Sequence, residues 1–532
     1  MSLSEIKTDF LVIGSGISGL MFALHAAQNH QVTLITKKEL SDCNTNVAQG
    51  GLAAVLDPLD LVSSHINDTI RVGDGLCVRE VVEFFVEYAP SVVREMVESY
   101  GVQFDTVPTD PSSFELGMEG GHSARRIVHY KDITGKAIEQ ALIKAVLCNK
   151  NITVKPYHMA VDLLMSRQYG LDDTCFGAYV LNKATQKIQP MVAQKGTVLA
   201  TGGLGKVYLY TSNPDVATGD GVAMAYRAGA KVANMEFVQF HPTCLYHPQA
   251  KSFLISETVR GEGGVLTLKN GQSFMEKYHP MKSLAPRDVV CRAIDSELKQ
   301  TGDDCVFIDI THRGKDFLKE RFPSIYKECE RWGIDMASQP IPVVPAAHYS
   351  CGGIQASPTG VTSIPGLYAL GETAMTGFHG ACRLASNSLL EGAVMGKYAA
   401  MEKSFHKVQI PARIDPWYHT EAMVRKEAVT ISQNWDEIRR LMWNYAGIVK
   451  TDEWLNRAQK KIRLIQEEVS DYYRKFRPTT DFLELRNIVL IAQLIVDSAL
   501  ERKESRGLHW NLDYPETKKE FEKNTILSIK SM

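Results

Sequence analysis

No apolar run in this 532-residue chain approaches the roughly 20 residues that a membrane-spanning helix needs. The first residues also lack the basic and apolar pattern of a signal peptide. Lys and Arg together (59) nearly balance Asp and Glu (61), so the basic excess typical of nucleic-acid-binding proteins is missing. We therefore expect a cytoplasmic protein with no membrane anchor and no nucleic-acid partner.

The ten cysteines contain no C-x-x-C pair and no spacing that suits a metal site. This scatter is typical of free thiols in a reducing compartment. We expect no bound metal, and we interpret Cys244, Cys351 and Cys382 as structural residues although they lie in unusual stretches. The length of the chain suits about two to four domains.

A glycine-rich turn near the N-terminus is the first feature that points to a ligand. The apolar, β-branched run at residues 10–13 predicts a buried strand before the turn, and the apolar residues after it predict a helix. A G-x-G-x-x-G turn in this context lets the backbone approach a pyrophosphate at the helix N-terminus. The pattern favours a nucleotide cofactor over a purely structural turn. Its residues are Gly14, Ser15, Gly16, Ile17, Ser18 and Gly19.

The second predicted strand, at residues 32–36, lacks the acidic residue that would bind a ribose hydroxyl at its end. Lys37 stands there instead, which argues against a standard NAD site and makes Lys37 a candidate cofactor contact of another kind. A further buried strand that ends in glycines is predicted at residues 197–203. Between these strands lies a polar loop suited to lying along a cofactor: Asn44, Thr45, Asn46, Val47, Ala48, Gln49, Gly50 and Gly51.

The pattern of strands and helices divides the chain into three parts. Residues 1–234 alternate strand and helix patterns, whereas residues 235–348 lack this alternation and are rich in Arg, His and Glu. Glycine-rich motifs return at residues 349–410, so the middle part is predicted to be an insertion. Residues 411–532 are predicted to be helical and to serve packing, dimerisation or partner docking. Their amphipathic patterns lie at residues 435–443, 451–476 and 481–504.

Motifs along the whole chain resemble the flavoprotein family of succinate dehydrogenase, fumarate reductase and L-aspartate oxidase. They are NTNVAQGG, EGGHSARR, VLATGG, QFHPT, ETVRGEGG, LAPRDVV, VPAAHYSCGG, GLYALGE, CRLASNSLLE and ERKESRGLHW. The resemblance implies a doubly wound α/β fold with a Rossmann-like FAD-binding domain (residues 1–234 and 349–410). It also implies an inserted α+β capping domain (235–348) and a C-terminal helical domain (411–532).

The resemblance implies that FAD is bound non-covalently. Membrane-linked members attach FAD through a histidine at the position that Asn44 occupies here. A helix that begins at the Ser386-Asn387-Ser388 segment, which has good N-cap chemistry, would direct its positive end toward the flavin. The further cofactor contacts that the resemblance implies are Ala160, Asp220, Glu372, Ser388 and Leu389.

A site for a four-carbon dicarboxylate is implied as well. Arg287 and Arg383 would bind its carboxylates, because a planar guanidinium matches a carboxylate bidentately. His241 and His348 would donate further hydrogen bonds.

The family gives Arg287 an acid/base role. This role is chemically awkward for a guanidinium group, because its pKa lies above about 12 and it keeps its proton at neutral pH. Protons could reach Arg287 through Glu257 and Arg260, whose E-x-x-R spacing places them on one helical face. For an amino-acid substrate we interpret Arg287 mainly as a clamp and a proton handler.

Glu119 is the residue that distinguishes between substrates. The succinate and fumarate enzymes carry an apolar residue at the matching position. A carboxylate there would pair with the α-ammonium group of L-aspartate and disfavour a plain dicarboxylate. The alternative is an ordinary solvated acidic residue.

The implied reaction is the oxidation of L-aspartate to iminosuccinate, the first step of de novo NAD biosynthesis. The electron acceptor would be O2, giving H2O2, or fumarate, giving succinate, and the product would feed quinolinate synthase. One alternative is a soluble fumarate reductase or the flavoprotein subunit of a membrane complex. Another is a non-catalytic FAD-bound scaffold. The sequence leaves a monomer and a homodimer equally open.

Overall fold

A computed structural model describes residues 6–247, 253–403, 405, 408–417 and 429–529 of the protein. Its α-helices are α1 (Ile17–Ala26), α2 (Asn44–Val47), α3 (Val62–Val72), α4 (Arg79–Tyr100), α5 (Thr134–Cys148), α6 (Asp220–Arg227), α7 (Glu257–Gly261), α8 (Arg287–Thr301), α9 (Lys315–Arg321), α10 (Pro323–Arg331), α11 (Asn387–Ala399), α12 (Val429–Ala446), α13 (Asp452–Lys475) and α14 (Thr480–Glu501).

The strands are β1 (Ile6–Ile13), β2 (Val32–Ile35), β3 (Leu52–Ala53), β4 (Thr106–Val107), β5 (Asp110–Phe114), β6 (Leu116–Gly117), β7 (Ile127–Val128), β8 (Ile152–Lys155), β9 (His158–Met165), β10 (Cys175–Asn182), β11 (Lys187–Leu199), β12 (Val232–Ala233), β13 (Val238–Leu245), β14 (Val265–Thr267), β15 (Val306–Asp309), β16 (Ile341–Ser350), β17 (Gly353–Gln355), β18 (Leu367–Ala369), β19 (Ala374–Met375), β20 (Val449–Lys450), β21 (Trp510–Asn511) and β22 (Ile526–Leu527).

The apolar strand β1 lies inside the largest sheet, whose order is β8-β2-β1-β11-β10-β9, with β18 beside β11. It pairs in parallel with β2 and β11, so Ile13 lies next to Ile35 on one side and Leu199 on the other. Strand β10 runs antiparallel to both β9 and β11. The strands predicted near residues 10, 32 and 197 are confirmed, and so is the α/β class with a Rossmann-like sheet.

Parallel pairing brings the carboxyl ends of β1, β2 and β11 to the same edge of the sheet. Gly14 and Ala200 follow two of these ends, and the backbones approach closely there. A Cβ atom at position 14 would lie 2.1 Å from the carbonyl oxygen of Ala200, and the φ of Gly14 is +114°. Position 14 therefore requires glycine, and the glycine-rich turn lies where α/β sheets form their ligand crevices.

The predicted insertion contains an antiparallel sheet of order β13-β16-β15-β14. Helix α8 packs against β13 and β16. A hydrophobic core of its own, separate from the core around the large sheet, includes the fully buried side chains of Leu266, Phe274 and Ile308. The boundaries at residues 235 and 348 remain predictions.

Helices α12, α13 and α14 pack together in the C-terminal part, where the amphipathic patterns predict helices. The hydroxyl groups of Thr451 and Thr479 accept hydrogen bonds from the backbone N–H groups of Trp454 (3.1 Å) and Phe482 (3.3 Å). These bonds cap α13 and α14 at their N-termini. No helix in the described ranges is long and apolar enough to cross a membrane.

The chain does not stay in the helical bundle. After α14 it returns to the first part of the molecule, where β22 pairs antiparallel with β12 in a sheet of order β19-β17-β12-β22. The helical prediction for residues 411–532 did not include this strand. Two residues are too few to show the alternation of apolar and polar side chains that indicates a strand.

Phe274→Ala should lower the free energy of unfolding by about 3–5 kcal/mol, because it opens a cavity in a closed core. Urea denaturation measures the change. Met281, whose side chain is 57% exposed, provides the control: Met281→Ala should change the value by less than about 0.5 kcal/mol. Equal losses in the two variants would contradict a separate core in this segment.

Candidate active site

A cavity of about 880 Å³ opens at the shared carboxyl edge of β1, β2 and β11 and extends to the inserted segment. Its volume lies in the range of small-molecule and cofactor sites. Every predicted site residue lines it except Gly19, Asn46 and Arg260. A Cβ atom at Gly19 would lie 2.2 Å from the carbonyl oxygen of Gly14, so Gly19 allows the turn to close rather than contacting a ligand. The cavity thus brings together motifs that are more than 300 positions apart in the sequence.

The turn before α1 presents bare backbone to the cavity. The nearest atom to a Cβ placed at Gly16 would be Thr45 Oγ1, at 3.4 Å. The same hydroxyl accepts a hydrogen bond of 3.0 Å from the N–H group of Ile17. The polar loop at residues 44–51 is thereby tied to the first turn of α1, and both face one space.

Glu372 forms a second polar point in the wall. Its carboxylate accepts hydrogen bonds from Asn44 Nδ2 (2.9 Å) and from the N–H group of Ser350 (3.1 Å). A Cβ atom at Gly203 would lie 2.2 Å from this carboxylate. Removal from bulk water raises the pKa of Glu372 to about 7. Asn44 Oδ1 has no hydrogen-bond partner in the part of the chain that the structure describes, so it is available to a ligand hydroxyl.

Lys37 does not offer its ammonium group to a ligand. Its Nζ atom contacts Thr218 Oγ1 at 2.6 Å, Asp220 Oδ2 at 2.7 Å and Glu484 Oε1 at 2.7 Å. An ammonium group has three protons, so these three partners occupy it. Lys37 lines the cavity while its ammonium group organises carboxylates from α6 and α14, and its predicted contact with the cofactor stays a prediction.

Arg287 begins α8 and pairs with Glu257 at the start of α7. Arg260 lies 3.5 Å from the other oxygen of Glu257 and donates to the carbonyl oxygen of Ser283 at 2.7 Å. The predicted Glu257–Arg260 face is therefore present, with Arg260 behind the cavity wall. Burial lowers the pKa of Arg287, but Glu257 and Glu119 raise it further than burial lowers it. Arg287 is thus a permanent cation.

Arg383 is held from three sides. Its Nε atom donates to Gln239 Oε1 (3.0 Å), and its Nη1 atom donates to Ser388 Oγ (3.0 Å). Its guanidinium carbon lies 4.8 Å from the centre of the Tyr349 ring. These contacts leave the Nη2 atom of Arg383 for a ligand in the cavity. Sequence reasoning did not identify Gln239 or Tyr349, because neither residue type signals a cation partner by itself.

His241 and His348 lie side by side, with ring centres 5.7 Å apart. The N–H group of Thr243 donates to His241 Nδ1 at 3.3 Å, so the proton of a neutral His241 ring is on Nε2. Ser212 Oγ lies 2.7 Å from His348 Nδ1. Burial, followed by the nearby arginines, lowers the pKa of both rings well below 6.5. Both are neutral hydrogen-bonding groups at neutral pH.

Glu119 faces the same cavity as these cations. Its Oε2 atom accepts a hydrogen bond of 2.6 Å from Ser386 Oγ. A Cβ atom at Gly50 would lie 2.8 Å from its Oε1 atom, which explains a glycine at that position. One carboxylate oxygen is therefore fixed by Ser386, and the other remains near the cofactor loop.

Helix α11 begins at Asn387, as predicted, but the capping prediction was wrong. Ser386 is the N-cap residue and has a left-handed backbone (φ +59°), and no side chain caps the helix. Its hydroxyl group donates a hydrogen bond to Glu119. The helix packs closely on α1, since a Cβ atom at Gly396 would lie 2.6 Å from the carbonyl oxygen of Ser18.

Comparison with known proteins supports this geometry. Residues 9–389 match the family described as "FAD binding domain", and residues 435–532 match "Fumarate reductase flavoprotein C-term". The chain is 51% identical to L-aspartate oxidase 1 of Ralstonia nicotianae, over 96% of each chain. It is 49% identical to L-aspartate oxidase of Pseudomonas aeruginosa, over 98% of this chain and 97% of the relative. The chain belongs to the L-aspartate oxidase family. A solved E. coli quinol fumarate reductase shares the fold, with a TM-score of 0.86 and 30% identity over 98% of this chain and 94% of that one.

FAD is the cofactor of this L-aspartate oxidase family member, and the residues present fit it. The bare turn at Gly16 suits a pyrophosphate. The unpartnered Asn44 Oδ1 suits a ligand hydroxyl. A Cβ atom at Gly202 would meet just Asn44 Nδ2, at 4.0 Å, so the backbone there is open to a planar ring or chain. Across the described ranges, no cluster of His, Cys, Asp and Glu could hold a metal ion.

Acid should destabilise the protein through His241 and His348. Both rings titrate near 6.5 in the unfolded chain but resist protonation in the folded one, so the unfolded state binds more protons below that pH. The contribution of these two rings to stability is complete above about pH 6.5 and falls as the pH decreases, by up to about 1.4 kcal/mol per pH unit for each ring. Melting curves between pH 8 and 5 measure this. His348→Asn should flatten the dependence, and an unchanged slope would contradict the assignment.

Proposed function

We propose that this protein oxidises L-aspartate at its α-carbon to iminosuccinate, with FAD held non-covalently. The observation that carries the proposal is the position of Glu119 in one cavity with Arg287 and Arg383. L-Aspartate at neutral pH has two carboxylates and one ammonium group. Among the residues proposed to contact the substrate, Arg287 and Arg383 are cations and Glu119 is an anion, and the two histidines add donors without adding charge.

The residues have distinct tasks in this proposal. Arg287 and Arg383 bind the two carboxylates, and the Nε2–H group of His241 donates to one of them. Glu119 binds the α-ammonium group and takes up a proton from it at Oε1, the oxygen that Ser386 does not hold, because the nitrogen needs a free lone pair to form the C=N bond as the hydride leaves. FAD, when bound, accepts the hydride that leaves the α-carbon.

The side chain at position 44 supports non-covalent attachment. A carboxamide forms no bond to a flavin ring, and Asn44 Nδ2 already donates to Glu372. We further propose O2 and fumarate as electron acceptors, a monomer or homodimer in the cytoplasm, and a role in de novo NAD biosynthesis through quinolinate synthase.

The second candidate is a fumarate reductase or succinate dehydrogenase flavoprotein. The fold shared with quinol fumarate reductase favours it. Glu119 disfavours it, because a plain dicarboxylate leaves that carboxylate without a counterion in the cavity.

The purified, FAD-loaded protein should lose its yellow colour when L-aspartate is added without oxygen. Admission of air should restore the colour and produce H2O2. Absorbance at the flavin band follows both steps, with succinate and D-aspartate as parallel additions. Bleaching by succinate but not by L-aspartate would replace this proposal with the second candidate.

Glu119→Gln should raise the KM for L-aspartate by about 10- to 100-fold, the loss expected for a hydrogen bond to a charged group. Fumarate reduction with an artificial electron donor should suffer much less, since fumarate has no ammonium group. Glu115→Gln is the matched control, because Glu115 is exposed on the same segment. Equal loss of both activities in Glu119→Gln would rule out ammonium binding.

A further inference from the structure

We propose that His122 is a positioning residue for substrate choice: its ring fixes the backbone that presents the Ser386 hydroxyl to Glu119. The inference rests on the proposed function, because it concerns the carboxylate that selects the substrate. His122 does not line the cavity. It lies three residues after Glu119, in a motif whose other polar members have so far no role.

The chain of contacts starts at Arg126, whose side chain is completely buried. Its Nε and Nη2 atoms donate to the carboxylate of Asp60 at 2.8 and 2.9 Å, and Nη1 donates to Asp68 Oδ2 at 2.8 Å. Nη2 also donates to Ser64 Oγ at 3.1 Å. A guanidinium has five N–H groups, and these bonds use four of them.

The fifth N–H group of Arg126 sets the protonation of His122. Arg126 Nη1 lies 3.2 Å from His122 Nδ1, and an arginine can be only a donor. Nδ1 must therefore accept, and the ring proton lies on Nε2. That proton is directed to the carbonyl oxygen of Ala385, 2.9 Å away. Burial and then the charge of Arg126 oppose a second proton by lowering the pKa of His122, so the ring keeps one acceptor and one donor.

The bond to Ala385 acts on the strained residue that follows it. Ser386 has a left-handed backbone (φ +59°), which a residue other than glycine holds only when its surroundings impose it. The N–H group of Ala53 donates to the Ser386 carbonyl oxygen at 3.1 Å, and that of Gly51 donates to its hydroxyl at 3.3 Å. His122 adds the constraint on the preceding peptide unit, and Ser386 Oγ then points at Glu119.

The arginine clamps do not share this support. Arg383 has its own partners in Gln239, Ser388 and Tyr349, and Arg287 is held by Glu257. Loss of the His122 bond therefore loosens the ammonium-binding carboxylate and leaves the carboxylate-binding cations in place. This asymmetry separates a positioning role from general structural support.

The test compares His122→Phe with His122→Gln in the FAD-loaded protein. Phenylalanine fills a similar volume without an acceptor or a donor. Glutamine keeps both, with Oε1 for Arg126 and Nε2 for Ala385. We expect His122→Phe to raise the KM for L-aspartate by at least about tenfold, while kcat/KM for fumarate reduction stays within about twofold. His122→Gln should recover most of the loss. His25→Phe, which replaces another buried histidine distant from Glu119, controls for general destabilisation.

Two results would overturn the inference: equal losses for L-aspartate and fumarate in His122→Phe, or no change for either. If His122→Phe does not retain flavin, Ser386→Ala takes its place, with a greater loss for L-aspartate than for fumarate expected and equal losses contradicting the idea. Failure of the proposed function is a separate outcome, since the unaltered protein would then not be reduced by L-aspartate at all.

Discussion

Parallel pairing of β1 with β2 and β11 is the constraint on which the rest of the structure depends. A parallel sheet needs crossover segments, so the chain must return across the sheet after each strand. All three strands then end at one edge, and the loops that follow them meet there. The cofactor side of the cavity is built from those loops and from α11, which crosses α1 at glycine positions, while β13, β16, α7 and α8 supply the rest of its wall. A one-residue shift of β1 would reverse which of its side chains face each side of the sheet and would displace the turn at Gly14.

The cavity holds more charge than its surroundings would tolerate if the charges were not paired. Arg287 has Glu257, and Arg383 has an amide, a hydroxyl and an aromatic face. The two histidines remain neutral because burial and the arginines oppose their protonation. The two guanidinium groups proposed to bind carboxylates therefore keep their charge across the physiological pH range. Among the residues proposed to contact the substrate, Glu119 is the acid that no arginine pairs with, which is why it can distinguish between substrates that share their carboxylates.

The sequence was sufficient for features in which one residue type permits one geometry. The turn at Gly14 is of this kind, because the nearby carbonyl oxygen of Ala200 and a positive φ leave room for glycine alone. Family motifs supplied Arg287, Arg383 and Glu119. Partners were not predictable where their residue types are generic and far away in sequence. Glu484 reaches Lys37 from α14, and Gln239 holds Arg383 across 144 positions. The wrong expectation for Ser386 has the same origin, since its left-handed backbone does not suit a capping residue and its hydroxyl oxygen accepts from the N–H group of Gly51.

The pairing of β22 with β12 has a consequence for how the protein is made. Val232 and Ala233 lie beside Leu527 and Ile526, so this sheet joins parts of the chain that are separated by more than half of its 532 residues. Such a contact forms late, because the entropy of closing so long a loop must be offset by structure that already exists. On the ribosome, the other three strands of this sheet, β12, β17 and β19, emerge long before β22 is synthesised. Until β22 is made, the edge of β12 that it will cover has no partner. An unpaired strand edge can pair with another chain at this stage.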